Sequence, residues 1–177
     1  MSEENATPKL GAPDRRLDTI KLLEGIPPEA LRELENRCHW LDFGPDQVVL
    51  DRSDNNRDVY FIANGTVRVM NYLGNEREVN LADLHTGDHF GELSAVDSKE
   101  RSARVVGSEQ CIIAVMSRDV FLEALRQFPE VALRLLDHFA AIIRAMNQRV
   151  TSLLTLSPRQ RIYTEWTGTG KMEIAFC

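Results

Sequence analysis

Between residues 40 and 116, short runs rich in Val, Ile, Phe and Tyr alternate with Gly, Asn and Asp. A chain broken this often by turn-forming residues folds as short antiparallel strands. Runs at 47–50, 59–63, 66–72, 77–84, 103–106 and 111–116, with a further segment at Phe90, predict about eight of them. Asn64-Gly65 predicts a hairpin, because both residues tolerate positive φ. Gly74-Asn75 and Gly87-Asp88 mark two more turns. The spacing points to an antiparallel sandwich or roll.

Helical patterns flank this region. Residues 17–23 predict a short amphipathic helix that ends at Gly25. Pro28 suits the first turn of a second helix, where a missing N–H costs little, and Leu31, Leu34 and Cys38 supply its apolar stripe. Ser117 is a predicted N-cap for 119–126. Pro129 then opens a long helix that runs to about Leu154. Within it Ala132, Leu136, Phe139, Ile143, Met146, Val150 and Leu153 alternate four and three apart, which is a heptad seam. Leu135, Ile142 and Leu156 form a second stripe suited to packing on the roll. Two apolar stripes exceed what one neighbour needs, so the seam predicts a homodimer contact. The expected fold is mainly β with flanking helices: an antiparallel β-roll of jelly-roll type, followed by a long dimerisation helix. Its divisions are a leader at 1–16, the roll with flanking helices at 17–128, the long helix at 129–156 and a tail at 157–177.

Composition narrows the function. Hydrophobic residues make up 43% and charged residues 27%, the balance of a soluble globular protein. No apolar run is long enough to span a bilayer, and the leader has no apolar core of a secretory signal, so no membrane partner is expected. Cys38, Cys111 and Cys177 are few, odd in number and far apart, which fits a reducing cytoplasm and no disulfide framework. The net charge of -6 argues against strong nucleic-acid binding by this chain as it stands. His39, His85, His89 and His138 lack metal-ligand spacing. No nucleophile elbow, P-loop or convincing carboxylate pair is present, so neither a metal nor catalysis is expected.

The informative stretch is 90–103. Gly91 permits a tight turn, and 92–96 can form one helical turn whose free N–H groups face an anion. Nine residues after Glu92 comes Arg101-Ser102-Ala103. Arg101 offers a permanent charge in a planar fork suited to phosphate oxygens, and Ser102 adds a hydroxyl donor. Glu92 can accept hydrogen bonds from a sugar hydroxyl. The bland alternative is a surface ion pair between Glu92 and Arg101.

Phe-Gly-Glu-Leu-Ser, a spacer and Arg-Ser-Ala resemble the phosphate-binding cassette of cyclic-nucleotide-binding domains. From Leu17 to about Thr155 the chain resembles the sensor half of the catabolite activator and Fnr family of bacterial transcription regulators. The resemblance implies a cyclic nucleotide (cAMP or cGMP) as allosteric ligand, whose binding rearranges a dimer and controls DNA binding. It places the ribose 2′-hydroxyl on Glu92 and the cyclic phosphate on Arg101 and Ser102, with backbone N–H groups near Gly91 and Leu93. It puts Val69, Leu81 and Ala82 on the pocket wall, and Met146 and Asn147 beside the base. Met146 cannot read a purine edge by hydrogen bonding, whereas the Asn147 amide can, so adenine and guanine both stay open. Iron–sulfur sensing of the Fnr type needs a cysteine cluster near the start, which this sequence lacks.

In that family a DNA-reading head follows the long helix. Here Ser157-Pro158 and 159–166 look like its entrance, and about 20 residues cannot hold a recognition helix and a positioning helix. The apolar end at 172–177 reads as a truncated or frame-shifted tail, so DNA is expected as a partner only through a complete head in a longer form or a partner chain. The alternative is a regulatory or interaction module that does not bind DNA, with or without a nucleotide.

Overall fold

A computed structural model describes residues 15–73 and 77–155. The leader up to residue 14, the Gly74-Asn75 turn, the tail from 156 and Cys177 lie outside the described residues.

The strands are β1 (His39–Phe43), β2 (Val48–Leu50), β3 (Val59–Asn64), β4 (Thr66–Leu73), β5 (Arg77–His85), β6 (His89–Phe90), β7 (Arg104–Gly107) and β8 (Cys111–Met116). They form two antiparallel four-stranded sheets, in the orders β1-β8-β3-β6 and β2-β7-β4-β5. The helices are α1 (Pro28–Asn36), α2 (Glu92–Asp97), α3 (Arg118–Gln127) and α4 (Pro129–Thr155). The fold is the expected jelly roll followed by a long helix.

From Val59 to Ala63, Val-Tyr-Phe-Ile-Ala, β3 is apolar and buried at every position because its sheet is covered on both faces there, and only its last residue, Asn64, is exposed. Tyr60 and Ile62 point between the sheets, into a core with Val67, Val69, Phe90, Val105, Ile113 and Val115. Val59 and Phe61 point the other way, into a second core built with Leu17, Ile20, Leu34, Phe121 and Leu135 from the helices. A strand sends successive side chains to opposite faces, so one sheet organises both cores.

Three expectations needed correction. Asn64-Gly65 is not a hairpin: β3 and β4 belong to different sheets, and the dipeptide turns the corner between them. Gly65 has φ +91°, and a Cβ there would lie 2.5 Å from the Gln110 carbonyl oxygen, so the corner needs glycine. Residues 17–23 hold only a 3-10 turn at Lys21–Leu23, because Leu17, Ile20, Leu22 and Leu23 are all buried and anchor an irregular segment. His39–Phe43 is a strand that the apolar-run pattern did not predict; it is the exposed edge of its sheet.

The helical expectations agree more closely. Pro28 occupies the first turn of α1, and Ser117 caps α3 by accepting from the Val120 N–H at 3.5 Å. Leu135 is buried against the roll. Leu136, Ile143, Met146 and Val150 are exposed on α4, at 61%, 58%, 44% and 53%, whereas Phe139 packs partly on the helix-side core. The side chain of Leu153, and Leu156, lie outside the described residues. Cys38 and Cys111 are buried free thiols.

Candidate functional site

The short helix α2 is bracketed by two left-handed residues, Gly91 at φ +86° and Ser98 at φ +61°. Gly91 turns the chain out of β6 so that Glu92 starts the helix. A Cβ on Gly91 would lie 2.7 Å from Arg101 Nη1 and 2.9 Å from the Asp58 carbonyl oxygen. Gly91→Ala is therefore expected to cost about 1–3 kcal/mol and to lower the thermal midpoint by several degrees, as scanning calorimetry would show. The far end of α2 is held by two arginines. Arg118 donates to the Ala95 carbonyl at 2.8 Å and to Ser98 Oγ at 3.1 Å, and Arg57 Nε donates to the Ser98 carbonyl at 3.3 Å.

Glu92 and Arg101 are not a surface ion pair. Glu92 is 0% exposed and Arg101 2% exposed, and no salt bridge joins them. Arg101 is wrapped by acceptors. Nη1 donates to the Gly91 carbonyl at 2.9 Å; Nη2 donates to the Asp58 carbonyl at 2.9 Å and to Asn56 Oδ1. Its guanidinium carbon lies 5.6 Å from the centroid of Tyr60, whose ring stacks on Phe90 at 5.0 Å. A buried cation is tolerated where it is hydrogen-bonded and lies over an aromatic face.

Two side chains of this cassette hold buried polar atoms that stay unsatisfied. Arg101 Nε is a buried donor without an acceptor, and both carboxylate oxygens of Glu92 are buried without a donor. Burial pushes the Glu92 carboxyl up to about 8; its own backbone N–H and then Arg101 only partly offset this. Burial also lowers the Arg101 guanidinium from its ordinary value, but arginine remains charged. Groups left in this condition are expensive for a fold and are characteristic of binding sites.

Gly91, Ser94, Arg101, Ser102 and Ala103 line one recess with Leu50, Phe90 and Val105. It measures about 10 Å³, room for roughly one water. A ligand of nucleotide size therefore requires these side chains to part. Leu93 is 37% exposed and turned outward, so its backbone is what it can offer. Val69 is fully buried in the inter-sheet core, paired with Ala82 on β5 and Val105 on β7. Leu81 is the extra residue of a bulge opposite Val69 and Met70. None of Val69, Leu81 and Ala82 lines the recess, nor do Met146 and Asn147, which are exposed on α4. The acceptors that hold Arg101, from Asn56, Asp58 and Gly91, were not predicted. Two of the three are main-chain carbonyls, which no side-chain motif reveals.

The surroundings contain no group of three or more His, Cys, Asp or Glu able to hold a metal among the described residues. No described helix is long and apolar enough to cross a membrane.

Comparison with known proteins gives a consistent picture. Residues 40–128 match the family described as the cyclic nucleotide-binding domain. The Cyclic AMP receptor protein of Thermus thermophilus is 30% identical over 146 residues, which cover 80% of this chain and 65% of that protein. The cAMP-activated global transcriptional regulator CRP of Salmonella typhimurium is 26% identical over 128 residues, covering 72% of this chain and 61% of the relative. The chain thus spans about three-fifths of the length of such relatives. The crystal structure of the Thermus thermophilus Catabolite Activator Protein superposes with a TM-score of 0.68 at 27% identity, covering 75% of this chain and 62% of that one.

Proposed function

The chain belongs to the cyclic nucleotide-binding domain family, and from that premise we propose that it is a sensor that takes cAMP or cGMP at the 90–103 cassette. One observation carries the reading. A buried guanidinium N–H without an acceptor and a buried carboxylate without a donor stand nine residues apart in one cassette. A cyclic nucleotide offers what each lacks: phosphate oxygens for Arg101 and a ribose hydroxyl for Glu92. Ser102, on the same recess, adds a hydroxyl toward the phosphate. The cassette would bind and orient; no catalytic step is assigned to it. Because the recess is small, entry would move the cassette against its neighbours, and Arg118, the first residue of α3, ties that helix directly to the Ala95 carbonyl of α2. Displacement of a fluorescent cyclic nucleotide tests this. Unlabelled cAMP or cGMP should compete at least about tenfold better than linear 5′-AMP; equal competition would remove the cassette from the account.

The exposed stripe on α4 supports a homodimer. Leu136, Ile143, Met146 and Val150 are spaced seven, three and four apart, the pattern of a coiled-coil seam. Asn147 adjoins this seam, so its contribution to reading the base would depend on the paired state. Ile143→Asp buries a charge in that seam and is expected to give monomers in sedimentation velocity at concentrations where the parent is dimeric. In a longer form, or beside a partner chain with a complete reading head, rearrangement of this dimer would control DNA binding. A cytoplasmic location fits the two buried free thiols.

A further inference from the structure

Successive residues of a strand face opposite ways, and on β6 this separates two compartments. Phe90 stacks on Tyr60 in the inter-sheet core, while His89 faces α4 and meets the His138 ring at 5.0 Å. His89 is buried, and its backbone is paired with Phe61 of β3. One face of α4 is well packed: Val131, Leu135 and Phe139 join the helix-side core. Beyond Phe139, no described residue of α4 belongs to either core. The adjoining face stands over a cavity of about 370 Å³, partly open to solvent, that lies between helix and roll. His138 reaches His89 at the wall of this cavity. The two imidazoles thus join sheet and helix where the other packing thins out.

The charges around this contact already balance. Lys21 of the 3-10 turn, Asp83 of β5, Asp88 of the turn before β6 and Arg134 of α4 line the cavity, two of each sign. Asp88 is the carboxylate that favours a proton on both rings, but it is committed: its oxygens accept from Lys21 Nζ at 2.8 Å and from the His85 N–H at 3.0 Å. Asp83 accepts from Asn80 and stands 4.0 Å from Arg68. A proton on either ring therefore adds an uncompensated charge to a contact from which water is excluded. We propose that His89 and His138 form an acid-sensitive latch: neutral, the packed rings hold α4 on the roll; protonated, they release the half of the helix beyond Phe139. Ile143, Met146 and Val150 of the exposed seam lie on that half, so release would change how the seam is presented. The latch does not depend on nucleotide binding at the cassette. Its pH window follows from the burial. Burial above all, then the neighbouring His138 and, more weakly, Lys21 hold the His89 ring at about 3, against the ordinary 6.5, with Asp88 opposing; burial lowers His138 as well. A folded value below the ordinary one means that the docked state is fully favoured above pH 6.5 and loses about tenfold per unit as pH falls toward 3. From His89 alone, the ratio of released to docked helix at pH 5.0 should be about 30 times that at pH 7.5.

Amide hydrogen exchange of the full 177-residue chain, followed by mass spectrometry at pH 7.5 and 5.0 and corrected for the intrinsic rate at each pH, tests the latch. Protection over residues 140–150 should fall about 30-fold at pH 5.0 relative to that of β3 and β8. His89→Phe and His89→Gln carry no charge at either pH, and in each the fall should shrink below about threefold. Retained protection of β3 and β8 shows that a variant is folded, and either folded variant suffices. Glu92→Gln should keep the full response, which separates the latch from the titrating carboxyl of the cassette. Two results would overturn the proposal: a parent protein whose relative protection over 140–150 changes by less than about threefold, or a folded His89 variant that keeps the full response.

Discussion

Arg101→Ala is expected to weaken cAMP or cGMP binding by about 100-fold or more. The lost contact is a charge-assisted one in a buried setting, of about 1.5–3 kcal/mol for each hydrogen bond. The substitution also frees the Gly91 and Asp58 carbonyls, both of which accept from the guanidinium. The ligand-free protein should therefore melt earlier as well. Arg101→Lys separates the two effects. Lysine keeps the charge but not the fork that spans Gly91, Asp58 and Asn56, so binding should fall to an intermediate level in a protein that still folds. If Arg101→Lys bound as the parent does, the planar geometry around Arg101 would be irrelevant to the ligand.

Glu92→Gln is expected to move stability and binding in opposite directions. Burial holds the folded Glu92 carboxyl at about 8, above the ordinary value of 4.5. Between those two pH values the unfolded chain has released a proton that the folded chain keeps, so stability falls as pH rises through the window. At pH 8.5 the parent carries the full penalty, on the order of 3–5 kcal/mol. Glutamine removes it, and the ligand-free variant should melt several degrees above the parent at pH 8.5. Near pH 4.5 the difference should vanish. Binding goes the other way, because a ribose hydroxyl stabilises the ionised carboxylate. Parent affinity should rise with pH toward 8, by up to about tenfold per unit, and that rise should be absent in Glu92→Gln. Melting curves at pH 4.5 and 8.5, and titrations at pH 5, 6.5 and 8, check both halves.

Much of the architecture was legible because burial on both faces leaves a plain trace. The run at 59–63 and the run at 111–116 are apolar throughout, and both lie in the doubly covered sheet. Sheet membership was not legible. Asn64-Gly65 has the chemistry of a hairpin, yet positive φ serves equally well at a corner between sheets. The edge strand β1 escaped notice because His-Trp-Leu-Asp-Phe is half exposed and carries no continuous apolar run. In the cassette, residue types announced Glu92, Arg101 and Ser102. Their condition came only from the fold: full burial, unsatisfied oxygens, and a guanidinium held by main-chain carbonyls from elsewhere in the chain. Met146 and Asn147 show the converse. Their place on the long helix was legible, but the described single chain leaves both exposed.

Isothermal titration calorimetry of the full chain with cAMP and with cGMP tests the central claim most directly. The buried, unmatched Glu92 and Arg101 predict saturable heat with at least one of the two, at one nucleotide per chain, and its loss in Arg101→Ala. No heat with either nucleotide, at concentrations up to about 1 mM, would contradict it.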